Sequence, residues 1–456
     1  MTSLRELTAP ARAALPAPSL ARWGSIFFSL SVLTFLISLA AAEAFLAAAS
    51  VAYFAHLLRD RPAVKFPPVK VPLALFCLTT LVSVWYAADP AVGGFAVRKL
   101  ALFLILLLAV NLIVSAAHAV ALYKALFLES ALAGLVAAAQ FGREYRTVRA
   151  LHPDRLYFYM TTERISGFMG HWMNFGGQQM LIFAALAAFL LLGARPAPDP
   201  PEPRAPNTPS RRWWAVLAIV ALSIVLNFTR GVWLGCFVAS LYLVGRRKPR
   251  WLWAPPVLLV LGYLAAPSLV QRRVNVLRHP RSDPSLAIRF EMWDVGLRMM
   301  ARHPWVGVGP NNIEQVYTLY LPPGTAAMAG YHGHLHSDFL QLGAERGLPC
   351  LVAWLWLMIA LVAAAWRIRR RLARFKRPTW MVDAAIAGWL AVVVEGGFEF
   401  NFGTSPVLIV FLFVASTPFV VEHLGEQERS RKSEDGSQNS EFGNSGPTER
   451  GVHSNF

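Results

Sequence analysis

The sequence predicts an all-α, polytopic helical membrane protein with about 12 transmembrane helices, and three observations carry that prediction. Of its 456 residues, 55% are apolar and only 15% are charged, more hydrophobic surface than one or two soluble cores can hide. The apolar residues come in runs of helix length, with Leu, Ala, Val and Phe mixed without the period-two alternation of a barrel strand. Short basic clusters separate alternate pairs of these runs, as cytoplasmic loops require.

A spanning helix needs ~20 residues. Runs that meet this need lie near 25–41, 43–58, 71–88, 96–115, 119–140 and 173–193, then 212–227, 231–245, 251–267, 348–366, 380–397 and 404–421. The stretch from Gly24 to Ala42 ends in small residues like a cleaved leader, but apolar character continues almost to Arg59, which fits two tightly joined spans. The clusters Arg59/Arg61/Lys65/Lys70, Arg195/Arg204/Arg211/Arg212, Arg246/Arg247/Lys248/Arg250 and Arg367 to Arg377 can all be cytoplasmic at once. Together with Arg5, Arg12 and Arg22 they put both termini inside.

The predicted organisation is helices 1–9 over 1–267, a large outer loop with amphipathic helices over 268–347, and helices 10–12 over 348–421. The Ser-, Glu-, Gly- and Asn-rich segment 422–456 reads as a disordered cytoplasmic tail. The net charge of +17 is topological in such a protein, and no nucleic-acid partner is expected. Cys77, Cys236 and Cys350 stand alone, without ligand spacing, and read as packing residues.

Three features then fall outside: the loop 141–172, the hairpin around Arg230 and the segment 268–347. Long translocated loops are exempt from the positive-inside rule, but a basic outer surface still calls for a cause, and binding an anionic ligand is one. The run Trp213 to Val244 is broken only at Asn227-Phe-Thr-Arg230-Gly231. Arms of about 14–16 residues reach roughly 21–24 Å, short of the ~30 Å hydrocarbon layer, which sets Arg230 slightly below the boundary. Arg230 is therefore a functional candidate, with a snorkelling anchor as the alternative.

Segment 283–303 starts with Asp283 as an N-cap and Pro284 at the first helical position. Leu286, Phe290, Trp293, Leu297 and Met300 recur at helical spacing, as in an interfacial amphipathic helix. Arg289 and Trp293 share a face, so that a guanidinium can grip a phosphate while the rings rest at headgroup level. A solvated arginine beside a membrane-seated helix is the alternative. Downstream, His332, His334 and His336 alternate along an extended stretch. No acidic or cysteine set completes a coordination shell there, so neither metal nor cofactor is expected. Ser337 or Asp338 can cap a helix continuing through Glu345 and Arg346. His336 would then be held at a positive helix end that favours the neutral imidazole, a usable base.

These pieces together resemble the bacterial O-antigen ligase and O-antigen polymerase superfamily of membrane glycosyltransferases. They are Arg164-Ile-Ser-Gly167 running to Asn174, Thr229-Arg230-Gly231, Arg289-Phe-Glu-Met-Trp293 with His303-Pro-Trp-Val-Gly-Val-Gly309, and His336-Ser-Asp-Phe-Leu-Gln341 leading to Glu345-Arg-Gly347. The resemblance implies a bacterial inner-membrane enzyme with a periplasmic active face. It implies an undecaprenyl-diphosphate-linked glycan as donor, a glycolipid or glycan acceptor such as lipid A-core, and metal-independent transfer. By motif, Arg230 and Arg289 would hold the diphosphate and His336 would lie near the acceptor hydroxyl. The family commonly has Asn after the histidine; here it is Ser337.

Arg164 and Asn174 either shape the donor groove or belong to a glycine-rich re-entry turn. Glu345 has three possible partners, namely Arg346, Arg289 and the histidine. A polymerase would share the donor site and differ in acceptor. A secondary transporter would place ionisable residues at the midplane of repeated halves, whereas Glu43, Glu129, Glu395 and Glu399 lie at loop ends or helix margins and no repeat is visible.

Overall fold

The computed structural model describes residues 19–193, 210–275, 284–328, 330 and 332–443. The expected cap Asp283 and the basic residues Arg5, Arg12, Arg195 and Arg204 lie outside them. Every regular element among the described residues is helical.

Six helices are long and apolar enough to cross a membrane: Leu39–Asp60, Pro90–Leu112, Ala116–Leu151, Trp172–Leu192, Asp338–Arg374 and Ser405–Ser430. Lys70–Trp85 and Arg212–Leu226 are apolar but shorter. Helices Leu20–Val32, Arg230–Arg247, Ala254–Ala265 and Trp380–Glu395 cover the other expected segments. By length and composition, six of the described helices are therefore candidates to cross a membrane.

Several boundaries differ from the sequence expectation for local reasons. The first hairpin turns at 33–38, not near 42, because Ser38 caps the second helix through Ala41 N–H and Ser31 donates to the Ala42 carbonyl at 2.7 Å. Ser115 caps a helix that runs to Leu151 without a breaker. Its 36 residues reach roughly 54 Å at 1.5 Å each, so 141–151, expected in a loop, is helical. The last helix continues to Gly443, past the boundary at 422 expected for the tail, and 444–456 lie outside the described residues.

The Trp172–Leu192 helix is buried along most of its length and packs against helices 230–247, 380–395 and 405–443. Close approach depends on Gly235, where a Cβ would lie 2.3 Å from Met180 Sδ and 3.0 Å from the Ala391 carbonyl oxygen. That seating carries Arg230, at the start of its helix, to the turn that follows Glu395. At the other end of the same pair, Arg246 and Tyr242 meet Asp383 at 3.3 and 2.6 Å.

Segment 284–347 has its own small core, made of Met292, Val295, Met299, Val308, Ile313, Tyr317, Tyr320, Leu335 and Ala344. The inward stripe of helix Pro284–Arg302 is therefore Met292/Val295/Met299, while Phe290 and Leu297 are exposed. The protein-facing stripe is thus distinct from the face that carries Phe290 and Leu297, the one expected at the membrane interface. Helix Asp338–Arg374 is broken at Gly347 (φ 79°), which divides a short helix 338–346 from the membrane-length one that follows. A Cβ at Gly347 would lie 2.4 Å from the Trp305 carbonyl oxygen, and one at Gly307 2.3 Å from that of Glu345. The His303–Gly309 turn is fastened there by hydrogen bonds from Val308 N–H to Ala344 and from Gly309 N–H to Glu345.

Candidate active site

The site is assembled from loops and helix starts. Ser337 is extended, and its hydroxyl accepts from Leu340 N–H as the N-cap of helix 338–346. His336, immediately before it, has φ +46°, a conformation that costs a non-glycine residue about 1–3 kcal/mol unless its surroundings hold it. They do. Asp338 N–H donates to the Gly396 carbonyl at 2.7 Å, and the Asp338 carboxylate accepts from Phe402 N–H at 3.1 Å. These bonds clamp the helix start to the 396–404 turn.

That turn carries Glu399, buried to 1% exposure. One of its oxygens accepts from His336 Nδ1 at 2.8 Å and the other from Arg289 Nη2. Burial alone would raise the Glu399 pKa, but Arg289, the histidine hydrogen bond and Arg164 outweigh it and hold the value at about 2. An ionised carboxylate only accepts hydrogen bonds, so Nδ1 is the donor to Glu399, and in the neutral imidazole Nε2 is the nitrogen that can receive a proton.

Four arginines converge beside this pair. Arg289 lies on helix 284–302, and Arg230 opens its helix next to Gly231, where a Cβ would lie 3.4 and 3.6 Å from the Glu395 and Glu399 side chains. Arg164 stacks 3.8 Å over Trp172, donates to the Thr161 carbonyl at 2.7 Å and reaches the Thr229 hydroxyl at 3.4 Å. Arg273, on helix Ser268–Asn275, is buried and donates to the Phe228 carbonyl at 3.3 Å. Burial and the charges of Arg273, Arg289 and Arg230 depress the Arg164 pKa to about 9, against the pull of Glu399. The backbone beneath is pinned by Asn227, which donates to the Ile165 and Trp172 carbonyls at 3.1 Å each. Arg230, Arg273 and Arg289 all act on Arg164, and such a gathering of guanidiniums suits a polyanion.

Arg164, Arg230, Arg289 and His336, chosen from sequence, are thus brought together. Trp293 joins them through Phe398, with ring centroids 6.4 Å apart, and its buried indole N–H has no hydrogen-bond partner among the described residues. Asn174 is half-buried in the first turn of helix Trp172–Leu192. Glu345 is elsewhere. Of its three possible partners it approaches only Arg346, at 3.9 Å, and it takes Gln341 and Asn311 N–H at 2.8 and 2.9 Å. It therefore braces the 303–311 turn and touches neither Arg289 nor His336.

The three alternating histidines separate onto different partners. His332 packs on Tyr317 at 4.4 Å, His334 on Phe400 at 5.6 Å, and His336 binds Glu399. Sequence reasoning missed Glu399 as a site residue, and Arg273 altogether. The first looked like a helix margin, although an acid in the outer turn beside an expected span was a usable signal; the second had none.

Comparison with known proteins adds one match. Residues 215–355 match the family described as O-antigen ligase, and no curated protein matches the chain. The matched segment includes Arg230, Arg273, Arg289 and His336; Arg164 and Glu399 lie outside it.

Proposed function

We propose that this chain, whose 215–355 segment matches the O-antigen ligase family, moves a glycan from an undecaprenyl diphosphate carrier to an acceptor hydroxyl at the periplasmic face of the inner membrane. The observation that carries this reading is the gathering of Arg230, Arg273 and Arg289 around Arg164, with Arg289 and His336 both held by Glu399. The chain would cross the membrane twelve times with both termini in the cytoplasm, which sets this cluster at the outer surface. An apolar groove of about 380 Å³ begins one turn below Arg230, at Trp233, and continues past Phe237 to Leu258. It suits the polyprenyl tail of a diphosphate held above it.

In the proposed step, His336 Nε2 removes the proton from the acceptor hydroxyl as its oxygen attacks the anomeric carbon. The bond from that carbon to the diphosphate oxygen breaks, and its electron pair leaves with the diphosphate. Attack from the face opposite the leaving group inverts the anomeric centre. The arginines neutralise the charge that develops on the diphosphate, the role a divalent cation would otherwise fill, so no metal is required. Glu399 holds the imidazole in the tautomer that accepts and stabilises the imidazolium that forms.

The acceptor is lipid A-core in this reading. Deleting the gene and separating the cell's lipopolysaccharide tests it: core-only glycolipid with accumulated lipid-linked polymer supports a ligase. Core bearing a single repeat unit would replace that assignment with polymerase. Normal lipopolysaccharide would refute both in favour of another polymer. A His336→Ala protein that inserts and leaves the surface polysaccharide unchanged would remove the catalytic role of the histidine.

A further inference from the structure

A second cavity, of about 560 Å³, lies between helix Leu39–Asp60 and the membrane-length segment Pro90–Leu112 and shares no residue with the arginine cluster. Its walls are apolar, formed by Leu46, Ala47, Phe95 and Leu102, and Phe95 is exposed at its edge. Its polar end carries two adjacent cations, Arg98 and Lys99. They stand on a tightened 3-10 stretch, Arg98–Phe103, that interrupts the α-helical winding. Arg98 lies 5.0 Å over the Phe95 ring. Glu43 is the one acidic residue in the lining.

Lys99 Nζ donates to the Gly403 carbonyl at 2.6 Å, which uses one of its three donors. Gly403 belongs to the same 396–404 turn that presents Glu399 to His336. The charge on Lys99 is also felt by His334, whose pKa is lowered to about 4 by burial and by the neighbouring His336, Lys99 and His171. The 396–404 turn is thus reached by Arg289 from helix 284–302 and by a basic, apolar-walled groove from the other side.

A cation pair at the head of an apolar groove, on helices of membrane length, matches the chemistry of an amphiphile with an anionic head. We propose that this groove docks the acceptor as a phosphate-bearing acyl lipid, with its phosphate on Arg98 and Lys99 and its chains along Leu46, Ala47, Phe95 and Leu102, so that its sugar hydroxyls reach His336. The proposal rests on the reading of His336 as the base. A lipid bound here and a donor bound at Arg164, Arg230, Arg273 and Arg289 would approach the same turn without competing.

The test is lipid retention by the full chain in detergent, read by native mass spectrometry. The probes are an acylated disaccharide bisphosphate, phosphatidylglycerol, phosphatidylcholine and undecaprenyl diphosphate. The bisphosphate glycolipid should be retained over both phospholipids. The double variant Arg98→Gln/Lys99→Gln should lower its retention about tenfold or more and leave undecaprenyl diphosphate binding unchanged. Ala47→Trp, which fills the groove without removing charge, should do the same. Millimolar inorganic phosphate should compete poorly, because it lacks the chains. Glycolipid binding that is indifferent to both variants, equal retention of phosphatidylglycerol, full displacement by phosphate, or joint loss of both lipids would each overturn the assignment. Variant-sensitive glycolipid binding by a protein that transfers nothing would uphold the lipid site and reject the proposed reaction.

Discussion

Glu399 and His336 lie 63 positions apart, yet the Glu399 carboxylate accepts from the His336 Nδ1 at 2.8 Å while its second oxygen is held by Arg289. One buried acid therefore sets both the tautomer of the proposed base and the place of an arginine proposed to grip the leaving group. Glu399→Gln keeps the shape and removes the charge. Transfer should slow by roughly 10²–10⁴, the range of a positioned general base, mainly in kcat, because the remaining arginines still hold donor. A variant turning over at the wild-type rate would dissolve the link between the pair and the chemistry.

The same pair predicts a pH dependence of stability. The folded-state pKa of Glu399 is depressed from its ordinary 4.5 to about 2, so the folded state binds fewer protons than the unfolded chain between these values. The stabilisation is complete above about pH 4.5 and is lost as pH falls toward about 2. Thermal unfolding of wild type and Glu399→Gln, compared in detergent from pH 7 to pH 2.5, should show a constant gap at neutral pH that closes in this acid window. A gap unchanged at pH 2.5, or absent at pH 7, contradicts the ion-pair account.

How much of this was legible beforehand depends on how far apart the partners lie. The cap at Ser337 and the helix through Arg346 are local signals, and sequence alone identified them. So were the broken run at Arg230 and the motif residues Arg164, Arg289 and His336. What failed was tertiary. Glu399 reads as a helix margin until the turn that carries it is seen clamped to Asp338, and Arg273 lies in a short helix with no motif. Glu345 had the spacing of an active-site acid, but its neighbours are Gln341 and the Asn311 amide. The second stripe of helix 284–302, Met292/Val295/Met299, was not read from the sequence, because period alone does not say which apolar face meets protein.

Arg273 is the sharpest case, since only its position nominates it. Arg273→Gln should weaken donor binding by about tenfold, the scale of one charge-assisted contact, with kcat less affected. Arg289→Lys should cost more, because lysine keeps the charge but loses both the planar fork and the fixed bond to Glu399. Steady-state kinetics on a lipid-linked donor separates the two. Equal effects on KM and kcat at both positions would argue against distinct roles.

If the arginines form a diphosphate site, a polyanion should offset the burial and the neighbouring positive charges that depress the Arg164 pKa. Inorganic pyrophosphate should raise the unfolding temperature of the wild type, by an amount that corresponds to about 2.7 kcal/mol at a hundredfold excess over Kd. Raised salt should shrink the effect, and Arg164→Gln should reduce it. Stabilisation by chloride equal to that by pyrophosphate would mean that the cluster is merely screened.

Gly307 tests the scaffold rather than the chemistry. Its φ is +68°, and an added Cβ would sit 2.3 Å from the Glu345 carbonyl oxygen and 2.5 Å from the Arg346 nitrogen, backbone atoms that cannot rotate aside. Gly307→Ala should therefore destabilise by roughly 2–4 kcal/mol through strain and lost packing. It should also reduce activity, because the 303–311 turn would lift from the helix that begins at His336. Gly262→Ala is the matched control: a Cβ there meets nothing within 4 Å, so alanine should be neutral or gain up to about 1 kcal/mol from helix propensity. Thermal unfolding of the two variants in one detergent decides the matter, and a Gly307→Ala protein as stable as Gly262→Ala would mean that the turn is not seated as described.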